Sequence, residues 1–483
     1  MTAPARDVRR LPPIIVLVLA LVALAVADRG DRPPLTPAGA RLVTAFAPTA
    51  SPPNSLTSAW YCPVGTAAPG GQAESTTVIY NPTVRQLRGV MDVVGADGTK
   101  ASKPITVEPR SVLTVPVAQV LKNAYVAATV RLDGGGAIVE HAVTGPAGDA
   151  VGACASSAST RWFMPEGATT KSASLIYALY NPFPDDAIVD LAFSTDQGRD
   201  APSAFQGVVV PANSVVPLDV GSHVRRRAHV SAAIHARRGR IVVEQLQVHN
   251  GDGRKGVGLM LGAPRTATSF VFPDGIAGPD QMEQLHFFNP GDTEAAVELD
   301  LVLDTGDAQP FKIRVPARDR ITIDLSAESR IPKGVGHALS VHVSNHVPIA
   351  VARTTDVGPP GARHGYLSDI GATSASPHWG FAAGGSTAGL DEWISIVNEA
   401  PSAVTVNVTT TDGSSVRSLP GVSRLTIARG GRVVFRLADH GGTPVTPLIV
   451  NASGPVVAER TTYRLGGVGA SAVIGAVVST DHD

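Results

Sequence analysis

The chain repeats one pattern of residues four times, and this repetition constrains its fold more than any other feature. Each copy opens with a bulky aromatic residue, and an asparagine follows 19 to 21 residues later. The asparagines are 100, 108 and 109 residues apart, which predicts four tandem units. We expect these eight positions to be structural, with the aromatic rings packed in cores. They are Trp60, Trp162, Phe270 and Trp379, followed by Asn81, Asn181, Asn289 and Asn398.

A third landmark lies near the end of each unit, 59 to 63 residues after the asparagine. It is Glu140, Glu244, Ala352 or Glu459. Because the third unit has alanine where the others have glutamate, we expect a structural or rim role for the carboxylates rather than a shared metal site.

Short apolar or alternating runs separated by turn residues fill each unit, and no stretch has helical periodicity. This pattern predicts an all-β fold. We expect four immunoglobulin-like or fibronectin-like sandwiches at residues 56–156, 157–264, 265–373 and 374–483. The alternative is a β-propeller in which each unit forms two blades.

An apolar run from Ile14 to Ala27 follows three arginines near the N-terminus. We interpret residues 1–12 as a basic cytoplasmic segment, 13–27 as a hydrophobic membrane-anchoring helix and 28–55 as a proline-rich linker. The alternative is a signal peptide that is cleaved after Ala27. In both cases the remaining chain is predicted to lie outside the cytoplasm, either anchored in the cell membrane or secreted.

The chain has two cysteines, Cys62 and Cys154, which an exported protein is expected to pair. Cys62 aligns with a large residue in the other units, and Cys154 aligns with a glycine. A bulky side chain over a glycine and a disulfide could fill the same gap between adjacent strands. We therefore expect the first and last strands of each unit to be neighbours. The aligned residues are Met164, Phe272 and Phe381 in the first strand, and Gly262, Gly371 and Gly475 in the last.

The repeat resembles one found in exported proteins of high-GC Gram-positive bacteria, with an opening aromatic, an Asn-Pro after the first strand and a closing Glu-Arg. The closing pair is clearest at Glu459 and Arg460. The whole chain is similar to an uncharacterised family of actinobacterial envelope proteins with one N-terminal hydrophobic segment. This resemblance implies a cell-envelope location and no known catalytic residues.

The 40 basic and 41 acidic residues leave no excess of positive charge to bind the phosphates of a nucleic acid, so no nucleic-acid partner is expected. The Asp304-Thr305-Gly306 run resembles a protease signature, but it coincides with a hairpin turn of the repeat. His337, His342 and His346 are interpreted as scattered surface residues. We predict no catalytic residue, no cofactor and no metal site, and hence no enzyme.

The expected function is that of a non-enzymatic extracytoplasmic scaffold or interaction protein, whose partner is an envelope protein or polymer. The alternative is a binding module for an anionic or glycan envelope polymer. That alternative depends on basic residues clustered in the second unit, which could contact anions through charge and bidentate hydrogen bonds. They are Arg225, Arg226, Arg227, Arg237, Arg238 and Arg240.

Overall fold

The computed structural model describes residues 46–251, 253–306, 308–359, 361–382, 389–411, 415–442 and 446–479. Within these ranges the protein is all-β, as predicted, and its 3-10 helices are three or four residues long. None of the helices in the described residues is long and apolar enough to cross a membrane. The predicted basic segment, hydrophobic helix and cleavage site, and residues 28–45 of the predicted linker, lie outside the described residues.

The strands group into successive sets, and each set with its connecting loops is called a block here. The first block has two four-stranded antiparallel sheets, ordered β1-β6-β3-β4 and β5-β2-β7-β8. Alternation of inward and outward side chains is clear in β1, where Ser58, Trp60 and Cys62 are buried. The strands are β1 (Ser58–Cys62), β2 (Glu74–Asn81), β3 (Leu87–Gly95), β4 (Lys100–Val107), β5 (Ser111–Pro116), β6 (Val126–Asp133), β7 (Ile138–Gly145) and β8 (Gly148–Ala153).

The second and third blocks also have two sheets each. The second comprises β9 (Arg161–Met164), β10 (Ala173–Asn181), β11 (Ala187–Thr195), β12 (Gly198–Asp200), β13 (Val208–Val210), β14 (Ser214–Asp219), β15 (Val230–Arg238), β16 (Val242–Gly251) and β17 (Arg254–Leu261). The third comprises β18 (Ser269–Phe272), β19 (Gln281–Asn289), β20 (Ala295–Leu303), β21 (Phe311–Val315), β22 (Asp319–Asp324), β23 (His337–Val343), β24 (Ala350–Val357) and β25 (Gly365–Ile370).

In the fourth block the strands form one nine-stranded sheet, because the long strand β32 pairs with β26 and β28 in its first half and with β27 and β33 in its second. The strands are β26 (Ser376–Phe381), β27 (Leu390–Asn398), β28 (Val404–Thr411), β29 (Val416–Ser418), β30 (Leu425–Ile427), β31 (Arg432–Arg436), β32 (Leu448–Arg464), β33 (Ala470–Ile474) and β34 (Ala476–Val477). The 3-10 helices are Val117–Gln119, Ser203–Phe205, Val220–Ser222 and Leu437–His440.

Each pair of sheets encloses a common core, as in a sandwich. In the first block Trp60 and Met91 from one sheet pack in the same cluster as Ile79 and Val139 from the other. Strand order differs from that of an immunoglobulin constant domain, where the third, sixth and seventh strands share a sheet. Here β3 and β6 share a sheet, but β7 pairs with β2 and β8 in the other.

Residues 46–55 were predicted to belong to the linker, and this part of the prediction is wrong. Phe46 packs edge-on against Phe270 of the third block, with ring centroids 6.0 Å apart. Ala50 is buried and its amide donates to the carbonyl of Val477 in the fourth block at 2.8 Å. Thr49 donates to the hydroxyl of Ser156 at 3.0 Å. The segment packs against the blocks, despite its prolines, because Phe46 and Ala50 bury their apolar side chains there.

The last long strands of the four blocks contact one another in cyclic order. Strand β8 contacts β17, β17 contacts β25, β25 contacts β33, and β33 contacts β8. Between the fourth and first blocks, the amide of Asp149 donates to the carbonyl of Val468 at 3.0 Å. Between the third and fourth, the amide of Gly469 donates to the carbonyl of His364 at 2.7 Å. The cycle of contacts therefore closes the first block against the fourth.

Candidate functional site

The four repeated asparagines form the same hydrogen-bonded clamp in every block. Asn181 is representative: its Nδ2 donates to the carbonyls of Asp185, Val210 and Pro211 at 2.8 to 3.1 Å. Its Oδ1 accepts from the amide of Phe183 at 3.1 Å. Asn81, Asn289 and Asn398 make equivalent bonds to the residue four positions ahead and to the strand opposite. A buried amide with two donors and one acceptor suits this position, since it satisfies several carbonyls at once.

The opening aromatics are buried in the cores of the blocks, where the sequence analysis expected them. The indole of Trp162 donates to the carbonyl of Ile241 at 2.9 Å, and that of Trp379 donates to the carbonyl of Val456 at 2.7 Å. Trp60 and Phe270 are also fully enclosed. The rings therefore lie in block cores and are not exposed for sugar stacking.

The predicted disulfide is confirmed, because Cys62 and Cys154 are bonded with their Cα atoms 4.6 Å apart. Two of the other units show the expected packing of a ring over a glycine. A Cβ built on Gly371 would lie 2.7 Å from the ring of Phe272, and one on Gly475 would lie 2.9 Å from the ring of Phe381. Glycine is needed at these positions because the aromatic ring occupies the space of a side chain.

The repeated glutamates are buried, and each is paired with a histidine or an arginine of another block. His141 Nε2 lies 2.8 Å from Oε1 of Glu244, and both side chains are fully buried. Each pair joins the residue after one landmark to the landmark glutamate of the following block. The same arrangement joins Arg353 to Glu459 at 2.5 Å and Arg460 to Glu140 at 2.5 Å. The structural part of the prediction fits this geometry, but a rim position is wrong, since Glu140, Glu244 and Glu459 are buried.

The contact between the second and third blocks lacks this pair and has a different polar cluster. At this contact the residue after the landmark is Gln245, and the landmark position of the following block holds Ala352, neither of which is charged. Glu166 of the second block instead lies 3.0 Å from His286 Nδ1 and 3.0 Å from Arg320 Nη2 of the third. His286 faces Ala352 across adjacent strands, so the imidazole occupies the space that a landmark glutamate would need.

Burial and neighbouring charges shift the pKa values of these groups in opposite directions. Burial raises the pKa of Glu459 to about 8, against the lowering effect of Arg353. Burial also raises the pKa of Glu244. The pKa of Glu166 is held well below its ordinary value, because His286, His229 and Arg320 outweigh its burial. Burial lowers the pKa of His286, although Glu166 opposes this shift.

The six arginines proposed for polymer binding fall at opposite ends of β15. Arg225, Arg226 and Arg227 precede this nine-residue strand, which spans about 27 Å. The other three, Arg237, Arg238 and Arg240, lie at or beyond its end. Adjacency in sequence therefore did not produce one patch, because an extended strand separates the two groups.

Several of these arginines already contact partners within the protein. Arg237 Nε lies 2.7 Å from the carboxylate of Asp190, and the guanidinium of Arg240 lies 4.9 Å from the centre of the Phe183 ring. Near the other end, Arg225 and Arg227 donate to backbone carbonyls at 2.9 and 2.8 Å.

The three histidines expected on the surface have different environments. His342 and His346 are exposed. His337 is fully buried, and its Nε2 lies 2.9 Å from the equally buried carboxylate of Glu283. The surface interpretation of His337 is wrong because its strand position faces the interior, beside the buried carboxylate of Glu283.

Sequence reasoning missed the residues that join the blocks, above all Arg353, His286 and Glu166. One signal was available: the third unit lacks the landmark glutamate, and the second unit lacks a cationic residue at the paired position. Gln245 and Ala352 occupy the paired positions at one of the four contacts between blocks. At the other three contacts a histidine or an arginine is paired with a glutamate. Without the order in which blocks meet, these two substitutions looked unrelated.

A family model described as DUF5719, a family of unknown function, matches residues 134–418. The chain belongs to this family. This description agrees with the resemblance of the sequence to an uncharacterised family. No curated protein matches the chain.

Several solved structures share limited likeness with the chain. A crystal structure of Thermotoga maritima 1070 is 19% identical, covering 22% of this chain and 94% of its own, with a TM-score of 0.20. The Anabaena sensory rhodopsin transducer is 25% identical over 18% of this chain and 80% of its own, with a TM-score of 0.17. A tetra-tandem repeat from the extending region of a large adhesion protein is 13% identical over 86% and 99%, with a TM-score of 0.11. These scores support no inference about function.

Proposed function

We propose that the protein is a non-enzymatic scaffold of the cell envelope, held outside the cytoplasm, in which four copies of one repeat form a single rigid body. The observation that supports this most is the set of buried charge pairs between successive blocks. His141, Arg353 and Arg460 each reach the landmark glutamate of another block. These pairs join blocks and are enclosed, which suits a structural role better than contact with a substrate.

The envelope location is supported by sequence and by the disulfide. The apolar run from Ile14 to Ala27 has the length of a signal-peptide core, and counted from Leu11 it reaches 17 residues, the lower limit for a membrane span. The bond between Cys62 and Cys154 is suited to an oxidising compartment. We propose anchoring in the cell membrane in an actinobacterial envelope, with secretion after cleavage following Ala27 as the alternative.

Protease treatment of intact cells tests the location. We expect an external protease to remove an epitope attached after Asp483 while a cytoplasmic control protein stays intact. Protection of the epitope until the cells are lysed would contradict the proposal.

Partner binding can be tested by placing a photo-crosslinking amino acid at exposed apolar residues. Val84, Val209 and Val416 are suitable, since each is more than half exposed. A scaffold predicts a discrete crosslinked envelope protein from at least one position. The same amino acid at the enclosed Trp162 position is the matched control and should give none. Crosslinking that is uniformly absent or equal at the buried position would count against a protein partner.

Polymer binding remains a second candidate because basic residues border a groove between the second and third blocks. Arg161 and His235 are cross-strand neighbours, and with His346 they line a groove of about 580 Å³. Retention on purified wall polysaccharide should then fall with salt and with Arg161→Ala. The double replacement Arg226→Ala/Arg227→Ala tests the other end of β15 separately. Retention that is independent of salt and of both changes would exclude this candidate.

A further inference from the structure

Three potential metal ligands from three separate segments meet between the second and third blocks. They are Glu166, which follows β9, His229, which precedes β15, and His286 on β19. One ligand atom from each lies within 4.8 Å of the other two. The equivalents of His286 are Val78, Ala178 and Ser395, so this set of ligands does not recur in the other blocks.

The spacing of these atoms fits a tetrahedral zinc ion. Ligand atoms about 2.1 Å from zinc are about 3.4 Å apart at the tetrahedral angle. Glu166 Oε1 lies 3.2 Å from His229 Nδ1, and Glu166 Oε2 lies 3.0 Å from His286 Nδ1. These two distances run to different oxygens of Glu166, and the ligand atoms as a set lie within 4.8 Å of one another, so the side chains must draw closer for all three to bind one ion.

Neighbouring hydrogen bonds hold the ligands in this orientation. His286 Nε2 is 2.8 Å from the hydroxyl of Thr354, so Nδ1 is the nitrogen that faces Glu166, and the hydroxyl of Thr322 also lies 3.1 Å from it. The hydroxyl of Ser231 and the amide of Val230 bond to the carbonyls on either side of Glu166. Fixing the second nitrogen of a ligating histidine in this way is characteristic of metal sites.

The site also has a solvent route and a suitable set of donors. Glu166 and His286 are buried, but the side chain of His229 is 27% exposed. Two imidazoles and one carboxylate match the preference of Zn²⁺, and a fourth position could hold water.

Arg320 is the resident competitor for an ion. Its Nη2 lies 3.0 Å from Glu166 Oε2 and 3.4 Å from His286 Nδ1, and its Nε donates to Ser231 at 3.1 Å. The guanidinium neutralises the buried carboxylate when no metal is bound. Zinc must therefore bind at the His229 side of Glu166 or displace this contact, and removing Arg320 should favour it.

We propose that Glu166, His229 and His286 form a Zn²⁺ site that joins the second block to the third. This metal site does not depend on the proposed envelope role, because only these three side chains would bind the ion.

Equilibrium dialysis of the full chain against Zn²⁺, followed by elemental analysis, tests the site. We expect about one ion per chain and an affinity at least about tenfold weaker after His229→Ala. His342→Ala is the matched control, since His342 is exposed on β23 and belongs neither to the three ligands nor to the groove, and it should leave the affinity unchanged. Equal zinc retention by the His229→Ala and unchanged proteins would overturn the proposal, as would no retention by the unchanged folded protein.

Arg320→Gln gives an independent measurement. This variant should bind Zn²⁺ more tightly than the unchanged protein, and its melting temperature should rise more on addition of Zn²⁺. A variant that is folded, as judged by circular dichroism, yet gains no affinity and no added thermal shift would contradict a metal ion beside Glu166.

Discussion

The charge pair between Arg460 and Glu140 illustrates how single residues hold distant parts of this chain together. The two residues are 320 positions apart, and both side chains are buried. Arg460 also lies over the ring of Phe381, with 5.4 Å between the guanidinium carbon and the ring centre. Burial acts to lower the pKa of Arg460, but Glu140 and Glu392 raise it above its ordinary value. The arginine thus stays charged, and the carboxylate of Glu140 compensates its buried charge.

Replacing one member of this pair should cost far more stability than replacing both. We expect Arg460→Gln to lower the free energy of unfolding by about 3–5 kcal/mol, because Glu140 is left buried without its partner. The double change Arg460→Gln/Glu140→Ala copies Gln245 and Ala352 at the second contact and should recover much of this loss. Arg131→Gln is the control: its pair with Asp92 is exposed, so the cost should stay below about 1 kcal/mol. Denaturant unfolding measures all three, and equal losses for the single and double variants would contradict this account.

Glu392 should make stability depend on pH. Burial raises its pKa to about 7 from an ordinary 4.5, and neither carboxylate oxygen has a hydrogen-bond partner. The folded protein therefore binds more protons than the unfolded chain between these values, and stability falls as pH rises from about 4.5 to 7. The loss from this group is of the order of 3 kcal/mol.

Glu392→Gln should flatten the slope of unfolding free energy against pH over that range. Glu459, with a pKa of about 8, acts in the same direction, so some slope remains. Glu108→Gln serves as the control because Glu108 is exposed. An unchanged slope in the Glu392→Gln protein would show that this carboxyl is ionised in the folded state.

At the scale of strands, the first and last strands of each block meet through either a disulfide or a bulky side chain over a glycine. The bond from Cys62 to Cys154 closes a loop with a sequence separation of 92 residues. Reduction, or Cys62→Ala/Cys154→Ala, should lower stability by about 4–5 kcal/mol in the chain-entropy model. The variant Cys62→Phe/Cys154→Gly should be more stable than the alanine pair, since the ring fills the gap as Phe272 does over Gly371. Thermal unfolding in the presence of a reductant compares them, and the reverse order would contradict the equivalence.

The repeated asparagine is the other device that acts on whole strands. Asn181 joins the end of β10 to the turn that follows and to the end of β13. Asn181→Asp should destabilise the second block by about 1–3 kcal/mol, because a carboxylate cannot donate to the carbonyls of Asp185 and Val210. Asn213→Asp is the control at a position outside the clamp. Equal melting temperatures for the two variants would show that the clamp does not contribute.

For the whole molecule, spacing in the sequence was sufficient for local structure but not for the arrangement of blocks. The all-β fold and the disulfide could be predicted because both depend on positions that recur along the chain. The buried partners of Glu140 and Glu459 could not, because they lie on other blocks and depend on which block meets which. The prediction of a single arginine patch is wrong for a related reason. Residues that are near in sequence are held apart when a nine-residue strand lies between them.

The cyclic contacts of β8, β17, β25 and β33 predict how compact the body is in solution. A compact body of this length has a radius of gyration of about 22 Å, whereas four sandwiches joined in a row would give a much larger value. Small-angle scattering of the protein beginning at Phe46 measures this directly. Arg353→Glu should enlarge the radius, because it removes the cation that Asp369 and Glu459 share and adds a third carboxyl group to the same buried contact. Its control, Arg314→Glu, changes an exposed arginine of the same block and should leave the radius unchanged. A large radius for the unchanged protein would mean that the blocks do not close on one another, and the buried charge pairs would then lack their proposed role.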